Sequence, residues 1–254
     1  MIFEEVKKFY NRYGGKKCII GYSFRGREIF AFHIGSPTGR QFIATYAIHG
    51  REWITARLAL KHIKTGLSAG GGWVIPLVNP DGATICEELR PMWKANARGV
   101  DLNCNFDAEW GSGRLNVKMR GSENCIGDKP FSEAETIALR DFTLKVRPYV
   151  TFSFHTKGEE IYWEFCGGGD KRGADILSEA TGYTAKVICG SAGFPPCVRA
   201  ERGNGLSLKG SSVFRGRIQG LVHTKAAYPV VHGGVRLGRQ RPPDKKITQS
   251  KKML

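Results

Sequence analysis

The sequence predicts an α/β fold: a mixed, largely parallel sheet covered by helices on both faces. Three observations predict it. Short apolar runs of strand length recur at residues 41–48, 73–78 and 149–154. Stretches with helical spacing of apolar residues lie among them, at 51–65 and from 132 to about 146. Strands that alternate with helices imply crossovers, which leave neighbouring strands parallel and lay helices over the sheet. The 254 residues, 41% of them hydrophobic, suffice for one such domain with a sizeable core.

Each element has a local reason. Residues 1–14 carry Phe3, Val6, Phe9 and Tyr10 at helical spacing among charged residues and read as a helix. Residues 18–22 and 27–34 read as strands around the turn Phe24-Arg25-Gly26. Residues 41–48 read as a buried strand, and Glu52, Leu58, Leu60 and Ile63 trace a helix after it. Gly70-Gly71-Gly72 breaks the chain before the strand at 73–78, and Asn79-Pro80-Asp81-Gly82 is turn chemistry. Residues 103–130, rich in Gly and Asn, read as a long loop, which in a compact domain often carries function. Ser132 and Glu135 form a capping-box pattern that opens a helix to about residue 146. Residues 149–154 read as a strand and 172–181 as a helix stopped by Gly182. Beyond residue 193 the periodicity fades, with short strands expected at 220–223 and 228–232. The chain therefore divides into a domain over 1–193 and a basic, atypical segment over 194–254, with the abrupt composition of a divergent or frame-shifted tail.

His49 and Glu52 carry the most chemistry. With a helix starting near Arg51, His49 closes a strand and Glu52 lies in the first helical turn, so both can face one centre. An imidazole nitrogen and a carboxylate oxygen suit a borderline cation such as Zn²⁺, and a catalytic zinc needs three protein ligands and one open position. A third ligand is expected at the end of another strand, and His155 closes the run at 149–154. In a largely parallel sheet both histidines then fall beyond the strands' carboxyl ends, where ligands bind. The competing reading of this spacing is a surface helix start, with Glu52 near the positive end of the dipole.

Four segments occur in order: His49-Gly50-Arg51-Glu52-Trp53, Val78-Asn79-Pro80-Asp81-Gly82, Ala95-Asn96-Ala97-Arg98-Gly99-Val100-Asp101-Leu102-Asn103 and Phe154-His155. Together they resemble the zinc metallocarboxypeptidases, the funnelins of the carboxypeptidase A type. The likeness runs from about residue 20 to about residue 193. The block Gly158-Glu159-Glu160-Ile161-Tyr162-Trp163-Glu164-Phe165 draws it toward small bacterial members, some of which cut cell-wall peptides. The resemblance implies a carboxypeptidase-like fold and one Zn²⁺ per chain on His49, Glu52 and His155, a ligand set known for carboxypeptidase A. It implies hydrolysis of a peptide's amide bond near a free carboxylate. Arg98 would stabilise the oxyanion, and Asn103 would bind the terminal carboxylate.

Two departures stand out. Cys104 occupies the place of the family's carboxylate-clamping arginine and cannot form a bidentate fork. Lys157 and Arg114 are the candidate replacements. The family also carries a general-base glutamate on a late strand, whereas after residue 193 the only carboxylates are Glu201 and Asp244, neither in an apolar run. The sequence thus supports a zinc-dependent hydrolase and, as an alternative, a metal-binding pseudoenzyme.

The net charge of +16 raises a third class, an anionic-surface or nucleic-acid binder. Residues 194–254 hold 13 Lys+Arg against 2 Asp+Glu, and the first 193 hold 26 against 21. The excess is confined to the tail, which lacks interleaved aromatics, so nucleic acid is not the expected partner. Seven cysteines without a C-x-x-C pair read as free thiols in a reducing compartment. With no apolar leader and no run long enough to span a bilayer, the expected location is cytoplasmic, away from membranes. Oligomeric state is not legible in the chain.

Overall fold

The computed structural model describes residues 1–156, 158–165, 168–187 and 204–209, the last six and residues 164, 165 and 168 by backbone alone. A helix, α1 (Ile2–Arg12), precedes an antiparallel pair, β1 (Lys17–Tyr22) and β2 (Glu28–Gly35). Then come β3 (Gln41–Tyr46), a 3₁₀ turn at Gly50–Glu52, α2 (Ile54–Thr65), β4 (Gly71–Ile75) and α3 (Pro80–Glu88). After the long loop follow α4 (Ala134–Val146), β5 (Val150–His155), β6 (Glu160–Phe165), β7 (Gly168–Gly169), α5 (Lys171–Thr181), β8 (Thr184–Val187) and β9 (Asn204–Lys209).

The strands form one mixed sheet in the order β1-β2-β4-β3-β5-β9-β6-β7, with β8 beside β6. Its centre, β4-β3-β5-β9, is parallel, and its flanks turn antiparallel at β2 and β6. Side-chain alternation sends β2's Phe30, Phe32 and Ile34 to one face, with Tyr46, Val74 and Phe154, under α1 and α2. Ile29, Ala31, Ile43, Trp73 and Ile75 go to the other, against Leu139 and Phe142 of α4. Helices on both faces and a parallel centre are the architecture expected.

Three local readings need correction. The Asn79-Pro80-Asp81-Gly82 turn opens a helix: the Asn79 side chain accepts from Gly82 N at 2.8 Å and Pro80 supplies the preset φ of the first turn. The capping box before α4 does not form, because tertiary partners claim both groups. Ser132 Oγ donates to Glu133 and accepts from Asn105, and Glu135 accepts from Phe24 N and Asn96. Residues 204–209, within the segment set apart as a basic tail, form β9 between β5 and β6. Leu206 and Leu208 are its only apolar positions, too few to register as a periodic run. The strands expected at 220–223 and 228–232 lie outside the described residues.

Behind the sheet's centre, Tyr46 Oη donates to His62 Nδ1 at 2.6 Å, and His62 Nε2 is buried without a partner. Burial, assisted by the charge of Lys61, pulls the His62 pKa down to about 4. Unfolded His62 takes a proton below its ordinary 6.5, which folded His62 refuses until about 4. Stability present above pH 6.5 is therefore lost as pH falls through that window, by roughly 3 kcal/mol for this one residue. His62→Gln keeps an acceptor for Tyr46 and removes the titration. Urea unfolding of wild type and variant should show the two stabilities converging by about that amount between pH 6.5 and 4. Parallel curves would discard this account.

Candidate metal centre

His49 does not sit on a strand. β3 ends at Tyr46, and Ala47 turns the chain at φ 49°, a left-handed conformation strained for alanine. The kink is held on both sides. Ala47 N–H donates to Thr55 Oγ at 2.8 Å, and Ala47 C=O accepts from Asn79 N at 3.1 Å. Thr55 Oγ in turn donates to Glu52 C=O, so one hydroxyl ties the kink to the turn that carries Glu52. Asn79 Nδ2 donates to Ile48 C=O and Ala95 C=O, pinning this loop to the next. Gly50 is required by contact, since a Cβ there would come within 2.4 Å of Gly82 O and 2.8 Å of Trp93 O.

The described residues bring His49, Glu52 and His155 together, all buried, with one donor atom from each lying within 4.8 Å of the others. His155 ends β5, next to β3 in the parallel centre of the sheet. His49 Nδ1 lies 3.2 Å from Glu52 Oε1, and His155 Nδ1 lies 2.8 Å from Glu52 Oε2. Burial opposes charge on Glu52, but the two facing imidazoles outweigh it and hold its carboxyl well below the usual range. Burial also opposes a proton on His49, and Glu52 and Asp101 outweigh that penalty, raising its pKa.

These residues fit a zinc ion. His49 Nδ1 is buried without a hydrogen-bond partner, a cost that a cation would remove. Donors around a tetrahedral zinc with bonds near 2.1 Å stand about 3.4 Å apart, and here Glu52 oxygens lie 3.2 Å and 2.8 Å from the two imidazoles with all three donors inside 4.8 Å. Metal-ligating histidines need outer partners on the second ring nitrogen. Asp101 Oδ1 lies 3.3 Å from His49 Nε2, and Ser153 Oγ lies 3.2 Å from His155 Nε2.

Asp101 and Lys94 are absent from the roles read in the sequence. Asp101, 1% exposed, accepts from Asn103 N, faces His49, and pairs through its second oxygen with Lys94 Nζ at 2.5 Å. Burial opposes its charge, but His49 and Lys94 outweigh it and hold the carboxyl far below the usual range. The signal was available: Asp101 lies two residues before Asn103 in the matched loop, and Lys94 directly precedes that block.

The Arg98 guanidinium lies 3.3 Å from Asp128 and 3.6 Å from Glu133, and stacks over Phe24, with no ion pair to the triad among the described residues. Asn103 is buried beside Asp101, with its Oδ1 lacking a hydrogen bond. Cys104 is 5% exposed, and burial first, then Asp101, pushes its thiol far up, so it stays a protonated thiol and not a nucleophile. Arg114 is exposed in the long loop, and Lys157 lies outside the described residues. Cys18, Cys86 and Cys125 are free thiols, and no helix among the described residues is long and apolar enough to cross a membrane.

The chain is similar to several known proteins. The chain is 28% identical over 233 residues to the uncharacterized protein YqgT of Bacillus subtilis, covering 74% of this chain and 61% of that one. It is 30% identical over 206 residues to gamma-D-glutamyl-L-diamino acid endopeptidase 1 of Lysinibacillus sphaericus, covering 65% and 52%. An inactive metallocarboxypeptidase, ECM14 of Uncinocarpus reesii, is 28% identical over 183 residues, covering 58% and 31%. The chain thus spans 31–61% of the length of these relatives. Its fold matches bovine thrombin-activatable fibrinolysis inhibitor, with TM-score 0.68 and 19% identity over 82% of each chain. It also matches murein-tripeptide amidase MpaA of Escherichia coli O157, with TM-score 0.60 and 22% identity over 82% of this chain and 87% of that one. A family model described as zinc carboxypeptidase matches residues 8–185, a span that holds the kinked loop, Asp101 and all three members of the triad, and the chain belongs to that family.

Proposed function

We propose that this chain binds one zinc ion through His49, Glu52 and His155 and is built to hydrolyse an amide bond near a free carboxylate of a peptide. The buried triad, with an orphaned His49 nitrogen at its centre, carries this reading. A zinc ion held there would supply Lewis acidity, lowering the pKa of water and polarising a scissile carbonyl. Lys94, the buried cation paired with the Asp101 that faces His49, is proposed here for the oxyanion role that resemblance assigned to Arg98. Asn103 binds the substrate's carboxylate, and Lys157 is the candidate second contact. The 30% identity to an endopeptidase whose name specifies a glutamyl–diamino acid bond supports a cell-wall peptide as substrate. Metal analysis of the purified chain tests the centre. One zinc per chain is expected, and the His49→Ala/His155→Ala double variant should lose it. Stoichiometric zinc in that variant would end the proposal.

A specific observation favours the pseudoenzyme as the second reading. The late strand that lies beside β5 is Asn204-Gly205-Leu206-Ser207-Leu208-Lys209, which contains no carboxylate, and Lys209 is the residue in register with His155. The third reading, an anionic surface or nucleic acid held by the basic tail, falls largely outside the described residues. Steep weakening of DNA binding by salt would support it.

A further inference from the structure

We infer that Ser153 is the positioning residue for His155, holding the ring through a change of tautomer when the metal enters; the inference rests on the metal reading above. Ser153 and His155 are two residues apart on β5, so their side chains project from the same face of the sheet. Ser153 Oγ lies 3.2 Å from His155 Nε2, while His155 Nδ1 lies 2.8 Å from Glu52 Oε2. The carboxylate is an acceptor, so in this arrangement Nδ1 carries the proton and donates it to Glu52. Nε2 is then an acceptor, and the serine O–H donates to it. A metal at the triad needs the Nδ1 lone pair. The proton must then reside on Nε2, and Ser153 Oγ must become the acceptor. A hydroxyl is both donor and acceptor and serves both tautomers in place.

The other imidazole has a different outer partner. His49 Nε2 lies 3.3 Å from Asp101 Oδ1, an acceptor only, whose charge favours a proton on Nε2 whether or not a metal is bound. The two histidines are therefore set up differently, one fixed by a carboxylate and one switched by a hydroxyl. Thr45, in register with Ser153 on β3, donates its own hydroxyl to Phe152 C=O at 3.2 Å.

The test is zinc affinity, measured by competition with a chromogenic chelator, on the full chain and on Ser153→Ala and Ser153→Thr. Loss of an outer partner of a metal-bound histidine typically costs about 10–100-fold in affinity, and Ser153→Ala is expected to show that loss. Ser153→Thr, which keeps the hydroxyl, should stay close to wild type. Stoichiometric zinc in wild type upholds the metal reading by itself. An Ser153→Ala affinity within twofold of wild type then overturns the role of Ser153 and leaves the metal reading standing. Should Ser153→Ala fail to fold, nitrogen NMR of the wild-type His155 ring decides. A proton on Nδ1 without metal and on Nε2 with zinc supports the inference, and the same tautomer in both states overturns it.

Discussion

Loaded with zinc, this chain is expected to hydrolyse model peptides about 10²–10⁴-fold more slowly than a chimaera whose residues 194–254 are replaced by a relative's glutamate-bearing segment. The attacking water must lose a proton, and the leaving amine must gain one. A positioned carboxylate does both, and the strand beside β5 offers none. The alternative carboxylates follow His155. Glu160 opens β6, and its backbone is in register with Lys209, which is in register with His155. Two strand spacings, roughly 10 Å, therefore separate the Glu160 and His155 backbones. The Glu160 carboxylate is also engaged by Lys186 and by Tyr162 Oη. Glu159 lies on the exposed turn before it, at φ 50°. If the native chain matches the chimaera in kcat, the base lies in the native chain, and Glu160→Gln and Glu159→Gln would locate it. Equal zinc loading of both proteins is the control that separates a missing base from a missing metal.

How far the sequence discloses this site follows from what each residue depends on. The triad is legible because its members lie at element ends that apolar runs mark out, and because zinc admits few ligand types. The helix α3 is misread because Asn-Pro serves turns and helix starts alike. The capping box before α4 is misread because a local pattern cannot show that Asn105, Phe24 and Asn96 will compete for its side chains. Strand β9 is missed because a six-residue strand with two leucines has little pattern of its own, and it is recognised only by the partners on either side. Arg98 and Lys94 are a harder case. Both are cations in one loop, four residues apart, and which one pairs with Asp101 beside His49 depends on how that loop folds back over Gly50. Gly50 N–H donates to Lys94 C=O at 2.9 Å, a contact with no signature in either segment.

That fold-back gives the second large effect. Lys94→Met should destabilise the metal-free protein by about 3–5 kcal/mol, the cost of leaving a buried carboxylate without its partner. Asp101 is 1% exposed, and Lys94 Nζ, at 2.5 Å, is its cationic partner, with His49 facing its other oxygen. Arg98→Ala should cost no more than about 1 kcal/mol, because its pair with Asp128 is largely in solvent. Asp128 is 67% exposed, and buried Glu133 keeps Asn96 and Ser132 as hydrogen-bond donors. The double variant Lys94→Met/Asp101→Asn removes both charges and should recover much of the loss, since a neutral amide still has an oxygen to face His49 Nε2. Urea unfolding of the four proteins measures this directly. In the glutamate-bearing chimaera the same pair separates by rate: Lys94→Arg should keep most of kcat, and Lys94→Met should lower it by about 10²-fold or more, with Arg98→Ala near the parent. A Lys94→Met variant as stable as Arg98→Ala would show that Asp101 finds its charge balance elsewhere. A kcat that falls with Arg98 and not with Lys94 would return the oxyanion role to the arginine.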